Sequence, residues 1–275
     1  MISMRSVRKG ARLGQHFLTG TWAARRLTEA VSVRPGETIL EIGPGKGALT
    51  RELLATGEKV LAVEKDEALV EQLKQTFAGE IDSDALKIVV ADIRDFEPER
   101  FGLTVGGYVL AANIPYYITG EIIRQFLETP AQPRAMAILI QKEVADRIIA
   151  RDKKESILSL SVKAYGTPKI IAKVSRGNFA PPPSVDSAIL LVGDISKKFF
   201  TLNNVEGLGD LDERHFFRVV KAGFASKRKF LSSNLAVQFG KDAVQRAFEV
   251  CGLSGKVRAE DVPLEKWRDI SEALA

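Results

Sequence analysis

The residues best suited to chemistry are Asn113, Ile114, Pro115 and Tyr116, which directly follow an apolar run. The exocyclic amine of a base such as adenine is a weak nucleophile, because its lone pair is delocalised into the ring. The side-chain oxygen of Asn113 and the main-chain carbonyl of Ile114 can each accept one N–H, which favours a pyramidal nitrogen with its lone pair directed at a methyl donor. Pro115 fixes the turn and removes a competing donor, and Tyr116 can stack on the base. The motif therefore predicts methyl transfer to a base amine, and a simple Asn-Pro turn beside a buried Tyr is the alternative.

A second candidate site is the loop that contains Gly43, Gly45 and Gly47, between a predicted strand and a predicted helix. Glycines at these positions let the backbone approach a ligand closely at the N-terminus of the helix. Because Ala48 follows, the loop also satisfies the G-x-G-x-x-A variant of the dinucleotide fingerprint. On the loop alone, a nicotinamide-dependent oxidoreductase and a methyltransferase both remain open.

Two carboxylates stand at the ends of the next two predicted strands. Glu64 ends the second strand, where a carboxylate can accept both hydroxyls of a ribose, a geometry that both NAD enzymes and adenosylmethionine enzymes use. Asp92 ends the third strand and can bind the exocyclic amine of a cofactor adenine, or it can cap a turn. The pair favours a nucleoside-containing cofactor of either kind.

Strands and helices alternate over 150 residues, which indicates a mostly parallel, doubly wound α/β sheet of the Rossmann-like type. In such a sheet, ligands bind outside the carboxyl ends of the strands. The glycine loop, Glu64, Asp92 and Asn113 all follow strands, so the topology predicts that they meet in one site. The predicted strands are 38–42, 59–64, 86–91, 108–112 and 135–140, and the predicted helices are 21–31, 48–55, 67–77 and 121–127.

The second half of the chain changes character after residue 193. Helices are predicted at 142–150 and 156–165, and strands at 169–174 and 187–192. The polar, glycine-rich stretch that follows is typical of a linker, and only helices are predicted after it, at 212–225, 227–238, 241–251 and 264–274. The sequence thus predicts a catalytic domain at 1–193, a linker at 194–210 and a small helical domain at 211–275.

Charge is distributed unevenly along the chain, although the net charge is only +5. Three stretches without an acidic residue, 1–28, 156–185 and 215–241, carry six, four and six Lys or Arg residues. This separation is typical of a protein that binds a polyanion, although basic helix faces that are merely solvated are the alternative. In the helical domain, Lys227, Arg228 and Lys229 are the predicted RNA-binding residues.

Composition excludes several other classes of protein. No apolar run approaches the roughly 20 residues of a membrane helix, and the first ten residues lack the apolar core of a signal peptide. We therefore expect a soluble, cytoplasmic protein without a membrane partner. With one cysteine, Cys251, and only two histidines, no cysteine-based zinc site can form, and no metal is expected.

Seven ordered motifs together identify the family that the chain resembles, the ribosomal RNA adenine N6,N6-dimethyltransferases, and specifically the dimethyladenosine transferase of small-subunit rRNA. The motifs lie at 13–18, 41–50, 63–66, 91–92, 113–116, 141–145 and 179–187. The resemblance implies a Rossmann-like methyltransferase domain, S-adenosyl-L-methionine as methyl donor and rRNA in the small subunit or its precursor as partner. The acceptors it implies are two adjacent adenosines in a 3′-end hairpin, and we expect the enzyme to act as a monomer that assists subunit biogenesis.

The resemblance also assigns roles to residues. It implies that the cofactor site includes His16, Leu18, Gly43, Gly45, Glu64, Asp92 and Asn113, and that the target base is handled by Asn113, Pro115, Tyr116 and Phe179. Phe179 precedes three prolines that stiffen it, which suits a stacking platform, although a core aromatic is the alternative. Two positions depart from the family pattern, since His16 and Tyr117 stand where bacterial members commonly have Asn. A ring N–H can replace an amide donor at position 16.

Two related functions remain as alternatives. The methyltransferase that confers macrolide resistance modifies large-subunit rRNA and shares the Asn-Ile-Pro-Tyr motif and the helical tail. The Gly-Pro-Gly-Lys-Gly loop at 43–47 and the Pro-rich segment at 179–187 favour the small-subunit enzyme. A ribosome-assembly factor that binds RNA without catalysis is the other alternative, and the presence of Asn113, Glu64 and Asp92 weighs against it.

Overall fold

The computed structural model describes residues 16–201 and 211–275, which form two compact units. The first unit consists of residues up to 145 together with 169–195, and the second consists of 146–168 together with the residues from 196 onward. The predicted domain boundaries follow the order of the chain, whereas the first unit is interrupted by 146–168. Composition could not predict that 146–168 belongs to the second unit, because a helical pattern of this kind fits either unit equally well.

A seven-stranded sheet is the centre of the first unit, in the order β4-β3-β2-β5-β6-β9-β7. Strands β4, β3, β2, β5 and β6 are parallel, and β9 pairs antiparallel with β6. The predicted mostly parallel α/β sheet is confirmed. Its strands are β2 (Thr38–Ile42), β3 (Val60–Glu64), β4 (Leu86–Val90), β5 (Tyr108–Asn113), β6 (Ala135–Gln141), β7 (Thr167–Val174) and β9 (Ser187–Gly193).

The central strands are apolar on both faces, so the helices that connect them pack against both faces of the sheet. All five residues of β3 are buried, and so are the first five of β5. The helices and the remaining short strands of this unit are β1 (Phe17–Leu18), α1 (Thr21–Val31), α2 (Ala48–Leu54), α3 (Glu67–Thr76), α4 (Ala78–Asp82), α5 (Thr119–Glu128) and β8 (Phe179–Ala180). Strands β1 and β8 form a separate antiparallel pair.

The second unit is built from helices. Helix α6 (Lys142–Ile148) leads into it, and the others are α7 (Ile157–Lys163), α8 (Lys198–Thr201), α9 (Glu213–Gly223), α10 (Leu231–Phe239), α11 (Lys241–Val250) and α12 (Leu264–Ala273). Its core includes Phe216 and Trp267, both fully buried. Gly223 permits the close approach of α9 and α12, since a Cβ at this position would lie 2.3 Å from the Trp267 ring.

Two details of the second unit differ from the sequence predictions. The predicted linker 194–210 contains the helix α8, because Phe200 is buried and contacts Phe216 at a ring-centroid distance of 5.7 Å; residues 202–210 lie outside the described part of the chain. The helix predicted at 227–238 begins only at Leu231. Residues 226–229 form a turn instead, closed by the bond from the Lys229 N–H to the Ser226 carbonyl.

Two findings concern the described residues as a whole. Every helix among them is too short or too polar to cross a membrane. Within residues 16–201 and 211–275, His, Cys, Asp and Glu side chains do not assemble in groups of three or more that could hold a metal ion.

Candidate active site

A cleft of about 1030 Å³, partly open to solvent, lies at the carboxyl ends of the parallel strands of the first unit. Strand ends and the loops after them supply its walls, which explains why residues distant in sequence meet there. The predicted residues that line the cleft are His16, Leu18, Gly43, Gly45, Glu64, Asp92, Asn113, Pro115 and Tyr116. The structure therefore brings nine of the predicted site residues together.

The glycine loop forms one wall of the cleft. At two of its positions, both the backbone conformation and the close approach of an aromatic ring require glycine. Gly45 has a φ of +57°, and a Cβ there would lie 2.9 Å from the Phe17 ring. Gly47 has a φ of +81°, and a Cβ there would lie 2.5 Å from the Phe77 ring. Both positions need a left-handed backbone and close packing, which only glycine supplies without strain. The loop is thereby held against the cleft at the start of α2.

Glu64 is buried at the end of β3 and is fixed by main-chain donors. Its Oε1 accepts hydrogen bonds from the N–H groups of Lys65 and Asp66 at 2.9 and 3.1 Å, and its Oε2 accepts one from Gly45 at 3.2 Å. These bonds hold the carboxylate in one orientation. A carboxylate offers about four acceptor sites, so Oε2 retains capacity for a ligand hydroxyl within the cleft.

Asp92 both caps a turn and lines the cleft. Its Oδ1 accepts the Arg94 main-chain N–H at 3.1 Å, and the Arg94 guanidinium contacts Oδ1 at 3.0 Å and Oδ2 at 2.6 Å. These hydrogen bonds from Arg94 lower the pKa of Asp92 to about 2, with a smaller contribution from Lys65. Asp92 is therefore an ionised acceptor at neutral pH. Arg94 also lines the cleft, although the sequence predicted no role for it.

Asn113 is oriented by the segment that contains His16. Its Nδ2 donates to the main-chain carbonyl of His16 at 3.1 Å, which leaves Oδ1 as the acceptor that the amide can offer to a ligand. The His16 Nδ1–H donates to the Pro181 carbonyl at 2.8 Å, and the His16 ring stacks on Tyr116 at a centroid distance of 5.8 Å. His16 is thus fixed by a hydrogen bond at the edge of its ring and by stacking on one ring face.

Tyr116 is positioned by Ser187, a residue for which the sequence predicted no role. Its hydroxyl lies 2.6 Å from the hydroxyl of Ser187, which is fully buried at the start of β9. Burial raises the pKa of the Tyr116 phenol, while the bond to Ser187 acts in the opposite direction. The ring therefore remains neutral and can serve as an aromatic surface. Ser187 belongs to a family motif at 179–187, which was the available signal.

Phe179 and the basic triplet lie elsewhere in the described chain. Phe179 is 4% exposed, is paired with Leu18 across the β1–β8 ladder, and is not among the residues that line the cleft in the described part of the chain. Its role as a stacking platform remains a prediction, which would require the ring to become accessible. Lys227, Arg228 and Lys229 are exposed in the second unit, as a phosphate-binding role requires, and this role also remains a prediction.

A buried carboxyl group lies behind the cleft. Glu41, on β2, is fully buried between Ala62 and Ala111 of the neighbouring strands. Both its oxygens and the hydroxyl of Thr50 on α2 are buried without a hydrogen-bond partner in the described residues. Burial raises the pKa of Glu41 to about 8, and the charge of Glu64 adds to this shift. Glu41 is therefore protonated in the native protein at neutral pH.

The titration of Glu41 predicts a pH dependence of stability. Between about pH 5 and 8 the unfolded chain releases the Glu41 proton and the native protein keeps it, so this group makes stability fall as pH rises. Glu41→Gln should remove that decline and flatten the dependence of the unfolding free energy on pH by up to about 1.4 kcal/mol per unit. Urea unfolding at several pH values measures the slope, with the exposed Glu71→Gln as control. An unchanged slope in Glu41→Gln would contradict the prediction.

The fold and the cleft together define a Rossmann-like methyltransferase, with a glycine loop and an acidic strand end beside an Asn-Ile-Pro-Tyr motif. Residues 7–275 match the family model described as Ribosomal RNA adenine dimethylase, and the chain belongs to that family. This membership decides between the two enzyme classes that the glycine loop left open. It favours the methyltransferase over the nicotinamide-dependent oxidoreductase.

Curated relatives agree with the family. Ribosomal RNA small subunit methyltransferase A of Dehalococcoides mccartyi is 37% identical over 265 residues, which cover 96% of this chain and 87% of the relative. The protein of the same name from Moorella thermoacetica is 34% identical over 272 residues, which cover 95% of this chain and 91% of the relative.

Two solved structures share the fold over nearly the whole chain. The 23S rRNA methyltransferase ErmE superposes with a TM-score of 0.75 at 26% identity, covering 94% of this chain and 99% of that one. A dimethyladenosine transferase from Plasmodium falciparum superposes with a TM-score of 0.74 at 20% identity, covering 93% and 96%. Sequence identity is thus higher with the small-subunit enzymes above than with the 23S enzyme.

Proposed function

We propose that this protein transfers methyl groups from S-adenosyl-L-methionine to the N6 amines of two adjacent adenosines in a 3′-end hairpin of small-subunit rRNA. The observation that carries the proposal is the position of Asn113, Pro115 and Tyr116 in the same cleft as the glycine loop and Glu64. The names of the curated relatives support the choice of subunit. The same proposal places the enzyme in the cytoplasm, as a monomer that assists subunit biogenesis.

The residues present fit the cofactor. Glu64 would accept hydrogen bonds from the ribose hydroxyls, and the ionised Asp92 would accept one from the adenine amine. The glycine loop would pack against the part of the cofactor that lies closest to its backbone. His16 and Leu18 would close the site from the β1 segment. When bound, the cofactor supplies a methyl group on a positively charged sulfur, which is a strong electrophile.

The chain's own residues prepare the amine for attack. Asn113 Oδ1 and the Ile114 carbonyl accept its two N–H groups, Pro115 contributes no competing N–H, and Tyr116 stacks on the base. Hydrogen bonds of this kind strengthen as the nitrogen becomes pyramidal and gains positive charge, so they stabilise the transition state more than the bound substrate. The methylated nitrogen then loses a proton to water, and no general base is needed.

Methyl transfer to isolated ribosomal subunits tests the proposal. Labelled S-adenosyl-L-methionine is incubated with small and large subunits that lack the modification, and the modified base is then mapped. We expect label on adjacent adenosines of small-subunit rRNA. Label on the large subunit would establish the macrolide-resistance type instead, and binding to the small subunit without transfer would establish a non-catalytic assembly factor.

The role of Glu64 predicts a specific loss of cofactor affinity. Glu64→Ala deletes a charge-assisted acceptor and should weaken S-adenosyl-L-methionine binding by about 1.5–3 kcal/mol. Calorimetric titration measures the affinity, and thermal unfolding checks that the variant folds. Glu67→Ala, at an exposed site on the following helix, is the matched control. Equal cofactor affinity in Glu64→Ala and the wild type would remove Glu64 from the cofactor site.

A further inference from the structure

The second unit contains a groove that combines apolar and cationic residues. The groove has a volume of about 860 Å³, part of which is open solvent. It lies where the start of α7 approaches residues 224–229 after α9 and the segment 258–260. Its apolar surface comes from Ile157, Leu158, Phe224 and Ala259. We call it the α7–α9 groove. It is separate from the methyltransferase cleft, and none of its lining residues belongs to that cleft.

Phe224 gives the groove a rigid aromatic surface. Its ring stacks on the fully buried Trp267 at a centroid distance of 5.5 Å and an interplanar angle of 20°. The ring is half-buried and also lines the groove. An aromatic ring that is already ordered by its own core loses little conformational freedom when a second flat ring stacks on it, and stacking of this kind accepts any nucleobase.

The charges in the groove favour an anion. Lys227, Lys229 and Arg258 line it, are exposed, and have no ion-pair partner among the described residues. Two carboxylates also line it, and each has a lysine nearby. Glu155 pairs with Lys163 at 2.5 Å, and Glu260 lies 3.5 Å from Lys154, which also pairs with Asp261. Three lining cations therefore remain available for a ligand, against one carboxylate that is not fully compensated.

We propose that the α7–α9 groove binds one unpaired nucleotide of the rRNA substrate, with its base against Phe224 and its phosphates at Lys227, Lys229 and Arg258. This inference rests on the proposed function for the identity of the RNA. It adds a base-binding site on the helical unit, apart from the adenosines that are methylated. Stacking on an aromatic ring together with phosphate contacts is the usual way in which single-stranded RNA is held.

Two pairs of single variants of the full chain test the groove. Ile157→Glu adds a negative charge to the lining of the groove, and Val237→Glu makes the same change at an exposed valine outside it. Arg258→Ala removes a lining cation, and Lys256→Ala removes a nearby exposed one. Affinity for unmodified small subunits is measured for all four, with thermal unfolding to check that each folds.

We expect Ile157→Glu and Arg258→Ala each to weaken subunit binding about tenfold and the two controls to stay within about twofold of the wild type. Ultraviolet cross-linking of the wild-type complex, followed by mass spectrometry, should yield a nucleotide adduct on Phe224. If the groove variants bind small subunits with the affinity of their controls, the proposal is overturned. A cross-link from the groove to a ribosomal protein instead of to RNA would also overturn it. If the wild type does not methylate small subunits, the proposed function fails; the cross-link and the variants still report on the groove separately.

Discussion

Replacing Asn113 by Ala is expected to lower the rate of methyl transfer to small-subunit rRNA by about 10²–10³-fold, with little change in RNA affinity. The loss follows from the acceptor geometry, because Nδ2 is held by the His16 carbonyl and Oδ1 is the atom left for the target amine. An acceptor that acts mainly on the charge developing in the transition state has an effect of this size on kcat. Single-turnover transfer of labelled methyl groups measures the rate, and filter binding of subunits measures the affinity.

Asn113→Asp separates the acceptor from the donor in this prediction. The variant keeps an oxygen for the target amine but loses the N–H that holds the side chain to His16. We expect a rate between those of Asn113→Ala and the wild type, because an acceptor is present and less well oriented. Transfer by Asn113→Ala at the wild-type rate would show that the amine is activated by another group.

The strand ends of the first unit were predictable from sequence because two independent signals coincide there. Buried strands appear as short apolar runs, and a polar residue follows each run at the edge where ligands bind. Asp92 and Asn113 both meet this rule, and both line the cleft. The location of a side chain at a strand end can be predicted from local sequence, because the parallel topology brings all these strand ends to the same edge of the sheet.

Residues that act through another residue could not be found in this way. Ser187 is 71 positions from Tyr116 in sequence, and the family motif to which it belongs gives no indication that its partner is Tyr116. The same applies to the contact of Asn113 with the His16 main chain, which depends on how β1 passes over the cleft. Glu41 was passed over because its position in an apolar strand does not reveal that its carboxyl lacks a partner.

The division of the chain was missed for a different reason. Helix α7 was predicted, but its unit was not, because an amphipathic helix can bury its apolar face against either unit. In the structure Tyr165, just after α7, donates a hydrogen bond to Glu213 at the start of α9 at 2.5 Å. The second unit is therefore assembled from two separate parts of the chain, 146–168 and the residues from 196 onward.

Removing the basic triplet is expected to weaken subunit binding strongly and to change its response to salt. Lys227, Arg228 and Lys229 are exposed and follow the end of α9 in a turn. Each phosphate contact releases condensed counterions and contributes a slope of about −0.7 to the dependence of log K on log salt for single-stranded RNA. Lys227→Ala, Arg228→Ala and Lys229→Ala combined should therefore flatten the slope by about 2. Affinity for unmodified small subunits, measured between low and moderate salt, gives this slope directly.

A matched triple variant makes the result specific to this surface. Lys241→Ala, Arg246→Ala and Lys256→Ala combined remove the same charge from exposed positions of the same unit. The control variant should keep most of the salt slope, because a change in net charge alone acts at long range and is screened at moderate salt. Cofactor affinity should be unaffected in both triple variants. Equal affinities and slopes for the two would show that the Lys227–Lys229 turn only keeps the helical unit solvated, and the RNA surface would then lie in the basic stretches at 1–28 or 156–185.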